Sequence, residues 1–79
     1  MPPAVLESAT VLNKRSFTLS GHRTSVALER EFWSVLEREA QREHMSLAAF
    51  VAGIDATRGA HPLASALRLR ALAAAKEAS

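Results

Sequence analysis

Apolar and polar positions alternate twice near the start of the chain, and then the period changes. Over residues 14–19 (KRSFTL) Phe17 and Leu19 fall on one face, with Ser16 and Thr18 on the other. That two-residue period is the mark of a strand. Ser20-Gly21-His22 follows as a turn, where Gly21 is free to take a positive φ. Over residues 23–28 (RTSVAL) the alternation resumes, with Thr24, Val26 and Leu28 facing one way and Arg23, Ser25 and Ala27 the other. Two short strands about a glycine turn predict a hairpin. Alone it would be marginal in water, so helices must cover one face, and its unpaired edge calls for another chain.

From residue 29 the spacing becomes helical. Over 29–43 Phe32, Leu36 and Ala40 form a stripe that Trp33 and Val35 widen. Glu29 and Glu31 suit the positive end of the helix dipole, and the remaining charges read as a solvated face. The helix should stop near His44, a residue type that tolerates the left-handed conformation closing many helices. Ser46 then caps a second helix over 46–57, in which Leu47, Phe50, Val51 and Ile54 form the inward stripe. Ala48, Ala49, Ala52 and Gly53 keep the rest of its surface small, so that another helix can approach, and Gly59 ends it. His61-Pro62 opens a third helix over 62–75. Its Leu63, Ala66, Leu67, Leu69 and Leu72 give more apolar width than one face of a monomer needs, between Arg68 and Arg70. Residues 1–13, with Pro2-Pro3, carry no pattern and predict a flexible arm. Residues 14–79 then form one domain, mainly α with a short β-ribbon.

Composition narrows the function more than the fold. A chain of 79 residues buries proportionally little surface and often needs a partner subunit. It has no cysteine, so neither a disulfide framework nor a thiolate zinc site is available. Pro2 and Pro3 stand where a secretion signal carries positive charge, and no apolar run is long enough for a membrane span. A cytoplasmic protein with no membrane partner is expected. The net charge of +2 says little, but its distribution says more. Lys14, Arg15 and Arg23 lie in a stretch without an acid, whereas residues 29–43 hold five glutamates against three arginines. A basic face therefore belongs to the strands. His22, His44 and His61 sit in separate turns and never pair at i, i+4, and no phosphate loop or nucleophile elbow is present. Neither an enzyme, nor a metal site, nor a cofactor is expected.

The stretch from His22 to Asp55, HRTSVALEREFWSVLEREAQREHMSLAAFVAGID, resembles the core of the ribbon-helix-helix (MetJ/Arc-type) family: an alternating strand, a helix, a tight turn and a second helix opened by Ser or Thr. The longer segment KRSFTLSGHRTSVALEREFW…SLAAFVAGIDATRG with the LASALR helix looks like a bacterial subfamily of small stand-alone members. The resemblance implies an intertwined homodimer in which strands from two copies pair across a two-fold axis. Its core would hold Val26, Leu28, Phe32, Leu36, Phe50, Val51 and Ile54, a core one chain cannot close. It also implies a DNA-binding transcriptional regulator whose ribbon enters the major groove, with Arg23, Ser25 and Ala27 reading base edges. Phosphate would meet Ser46 and Leu47 at the start of the second helix, with Lys14 and Arg15 as further phosphate contacts. Arg23 can take guanine O6 and N7 together, Ser25 can bond to either kind of edge, and Ala27 offers only apolar contact to a thymine methyl. Three features depart from the family pattern: Ala27 itself, Glu29 where Pro or Asp is frequent, and an acidic first helix. The strand over 14–19 and the third helix are additions, and either strand can form the ribbon between subunits. The alternative is a tetrameric interaction module, assembled through the Leu63–Leu72 helix, that does not bind DNA.

Overall fold

The computed structural model describes residues 11–78. Most of the arm expected over 1–13 lies outside that range, and the last part of it is already strand. The elements are β1 (Leu12–Leu19), β2 (His22–Glu29), α1 (Arg30–Arg42), α2 (Leu47–Thr57) and α3 (Leu63–Ala78). Each matches an element expected from the pattern, with no end displaced by more than three residues.

β1 and β2 form a two-stranded antiparallel sheet, paired from Leu12–Glu29 at the open end to Leu19–His22 at the turn. The turn residues Ser20 and Gly21 have φ of 52° and 82°. Positive φ at both positions gives a tight two-residue turn whose twist matches that of the strands. The register puts Phe17, Leu19, Val26 and Leu28 on one side, all buried.

α1 follows β2 without a loop and ends in a hydrogen-bonded cap. The Met45 N–H donates to the Ala40 carbonyl at 3.0 Å, and the His44 N–H donates to Gln41 at 3.0 Å. With φ of 59° at His44, this is the six-to-one and five-to-two pattern that closes a helix on a left-handed residue. The Ser46 Oγ accepts from the Ala49 N–H at 3.0 Å and opens α2.

The core sits between the inner face of the hairpin and the three helices. Phe17, Leu19, Val26, Leu28, Trp33, Leu36, Ala40, Phe50, Val51, Leu67 and Ala71 form one buried cluster. Each fully buried aliphatic side chain in it contributes about 1.5–3 kcal/mol of transfer free energy. The residues expected to form the dimer core fall into two groups within the single chain. Val26, Leu28, Leu36, Phe50 and Val51, assigned to a core shared by two chains, are buried within one, while Phe32 and Ile54 pack half-buried at its margin. The cover comes from the additions to the minimal pattern, Phe17 and Leu19 of β1 and Leu67 and Ala71 of α3. These additions pack against the central elements within the same chain.

Two helix faces are turned relative to expectation. In α1 the buried line is Trp33, Leu36 and Ala40, with Phe32 and Val35 beside it. In α3 the inward residues are Leu67, Ala71 and Ala74, while Leu69 and Leu72 point outward. The charged side of α1 is not wholly solvated either. Glu39 is only 6% exposed, held by Arg70 at 2.9 Å and Arg42 at 3.3 Å. Burying a carboxylate costs free energy unless cations meet it, and α3 brings one. Arg70 also reaches Glu43 at 3.3 Å and lies over the Phe50 ring, so it ties all three helices together.

Candidate nucleic-acid interface

The outward side of the hairpin is built by the same register that fills the core. Lys14 lies opposite Ala27, Ser16 opposite Ser25 and Thr18 opposite Arg23. Lys14, Ser16, Thr18, Arg23 and Ser25 are exposed and Ala27 is half-buried, so none of the described helices covers this face. Two hydrogen bonds run across it between side chains. The Ser16 and Ser25 hydroxyls are 2.9 Å apart, and Arg23 donates from one guanidinium nitrogen to the Thr18 hydroxyl at 3.3 Å.

Lys14 and Arg23 form no ion pair among the described residues. Among the described residues the acid on this side is Glu29, opposite Leu12 at the open end. Arg68 holds it at 3.1 Å, in a pair partly open to solvent. A backbone hydrogen bond at Glu29 itself, and then the bond from Arg68, hold its carboxyl below the usual glutamate range. Among the described residues the face is therefore cationic and hydroxylic, and the Glu29 carboxylate beside it is already engaged.

Arg15 lies elsewhere. It pairs with Val26 on the inner side of the hairpin, forms an ion pair with Glu37, and sits 5.0 Å from the centre of the Trp33 ring. The Trp33 indole N–H donates to the Asn13 carbonyl at 2.8 Å, and its ring lies 5.9 Å from that of Phe17. Arg15 is thus part of the clasp that seats β1 on α1, and its guanidinium is spoken for. At the start of α2, Ser46 is exposed and Leu47 half-buried. The Ser46 hydroxyl is engaged with Ala49, while the first backbone N–H groups of the helix point toward its N-terminal end, as in any helix.

Ser16 and Thr18 are the residues that reading β2 alone overlooks. The signal was present in the matched alternation of both strands and the short turn between them, which together place the two residues on the face of Arg23 and Ser25. Among the described residues no group of three or more His, Cys, Asp or Glu side chains is placed to hold a metal. No helix is long and apolar enough to cross a membrane.

A ribbon of two strands is narrow enough for the major groove of B-DNA, about 12 Å wide, and side chains of this kind are able to meet base edges there. No curated protein and no solved structure matches the chain. The family profile described as "Ribbon-helix-helix domain" matches residues 12–75. A match running from the first residue of β1 well into α3 takes in every element of the fold, and the chain belongs to the ribbon-helix-helix domain family.

Proposed function

We propose that the protein is a DNA-binding transcriptional regulator that works as a homodimer and presents the outer face of its ribbon to the major groove. The observation that carries this reading is the outward row of exposed Arg23 and Ser25 and half-buried Ala27 beside Lys14, which has no ion pair among the described residues, on a face where those residues leave no uncommitted acid. Arg23 takes a guanine through O6 and N7, Ser25 bonds to a neighbouring base edge, and Ala27 meets a thymine methyl. Lys14 and the N-terminal amides of α2 at Ser46 and Leu47 take phosphates. Arg15 holds β1 in place and contacts no DNA.

The test is binding of the purified chain to labelled genomic duplexes at two salt concentrations, with Arg23→Ala alongside. Selective binding that weakens steeply with salt is expected, because cations on phosphates release counterions. Arg23→Ala should lose about 1–3 kcal/mol on the preferred duplex and relax the preference at one position. A folded protein that ignores DNA at low salt would sink the proposal.

One observation favours a second reading, an oligomeric module with the same fold that binds no DNA. Leu69 and Leu72 of α3 are 57% and 52% exposed on the side away from the core. A fixed tetramer with no affinity for duplex DNA would mark this reading.

A further inference from the structure

We infer that a second copy of the chain docks by placing its Leu69 into a groove beside α2, each copy giving one leucine and receiving one. No residue of the hairpin takes part. The inference therefore goes beyond the DNA-binding reading and stands or falls apart from it.

An open groove of about 300 Å³ lies between the end of α1, the exposed flank of α2 and Arg70 of α3. Buried Phe50 and half-buried Ile54 line it on the core side, and Ala49 and Gly53 leave it wide. A Cβ added at Gly53 would meet nothing within 4 Å, so a side chain from outside has room there. The helix that carries these residues has no polar face of its own. Ala48, Ala49, Ala52, Gly53 and Ala56 are exposed, and its one charge, Asp55, is held by Arg58 at 2.7 Å. A helix that is apolar all round calls for cover on both sides.

The same chain carries what fits. Leu69 is exposed on α3, next to the arginine that lines the groove. Positions 66 and 73 are three or four residues from both Leu69 and Arg70, so they lie between the two on the helix surface. Both are alanines, half-buried Ala66 and exposed Ala73, and small residues there let a second helix come close. Leucine and groove thus share one side of one chain, and such a self-complementary patch closes on itself about a two-fold axis. Size agrees. A hole of about 150 Å³ already holds a benzene-sized group, so this groove takes a leucine side chain, while it is at the lower limit for a small-molecule site.

Charge favours the same occupant. Lys76, two turns beyond Leu69 on the same line of α3, is exposed and forms no ion pair among the described residues. Glu43 stands at the groove, exposed and reached by Arg70 at 3.3 Å. A basic ridge entering beside an acidic rim is complementary rather than repulsive.

The experiment measures mass against concentration by light scattering for the full chain, Gly53→Gln and Leu69→Gln, with thermal melting as the check on folding. The side chain introduced by Gly53→Gln occupies the groove without a clash inside the chain, and it favours the helix more than glycine does. The wild type should exceed both variants in mass, and each variant should weaken association about tenfold or more with no loss of folding. Because the chain has no cysteine, introduced thiols report the contact directly. Leu69→Cys mixed with Ala49→Cys should give a mixed disulfide under mild oxidation, about fivefold or more above what either forms alone. If folded Gly53→Gln keeps the mass of the wild type at every concentration, the inference is overturned. Leu69→Cys linking chiefly to itself would overturn it too, and would set the leucines of two copies against each other. A wild type that does not exceed the variants in mass, with thiols that stay apart, would leave the groove to a different protein or to none and would equally overturn it.

Discussion

His44 shows how a single residue can be read from the chain and still hold a surprise in its energetics. Its φ of 59° lies where a side chain with a Cβ is strained and glycine is not. The cap's hydrogen bonds come from backbone N–H groups, so they survive a change of side chain. His44→Gly should therefore raise stability by about 1 kcal/mol in urea unfolding, and a drop would mean that the imidazole makes a contact the fold depends on. Glu29 gives a second test at this scale. Its carboxyl is held below the usual range by the backbone hydrogen bond first and by Arg68 next. A lowered folded-state value means that the ionised form stabilises the fold above the ordinary glutamate range, and that this contribution is lost as pH falls through the folded value. Glu29→Gln should flatten the acid limb of stability against pH while changing little at the lowest pH. An unaltered acid limb would show that the pair with Arg68 does not count in solution.

Among the elements, the joint between β1 and α1 depends on Trp33, which is fully buried and holds the Asn13 carbonyl at 2.8 Å. Trp33→Ala should cost about 3–5 kcal/mol through the cavity it leaves. Trp33→Phe should cost less, about 1–3 kcal/mol, chiefly by leaving that carbonyl without its donor. Hydrogen exchange should show β1 opening earlier than β2 in the Phe variant; equal protection of both strands would contradict the clasp. The same joint marks the limit of what the sequence discloses. Both strands, the three helices, the left-handed stop at His44 and the Ser46 cap are legible because each rests on local backbone preference and on period. The buried stripe of α1 is legible only to within one position, since Phe32 and Trp33 are adjacent and it is β1 that takes up the indole. Glu39 was illegible, because nothing near it in the chain announces that α3 will bring Arg70 against it. At the candidate interface, Arg23, Ser25 and Lys14 were visible from alternation. The inward turn of Arg15 needed only the parity of β1, while its pairing with Glu37 and Trp33 needed the packed structure.

The whole molecule packs the parts outside the minimal pattern against its central elements. Val26, Leu28, Leu36, Phe50 and Val51 are buried within the chain, while Phe32 and Ile54 are half-buried at the margin of its core. What remains uncovered on α3 is a pair of leucines, Leu69 and Leu72. If that face joins copies, light scattering should find a mass above that of the monomer, and a Leu69→Lys, Leu72→Lys double variant should step down in assembly while keeping its melting temperature. Unchanged mass in the variant would place the interface elsewhere. The turn at Ser20 and Gly21 has a consequence for inheritance. Because β1 and β2 pair within one chain, a substitution in one strand and its answer in the other come from a single gene copy. Where two alleles with different hairpins are expressed together, mixed assemblies would keep each allele's matched strands together. The fit between strands would then pass from parent to descendant chain by chain, rather than as a property of the assembly.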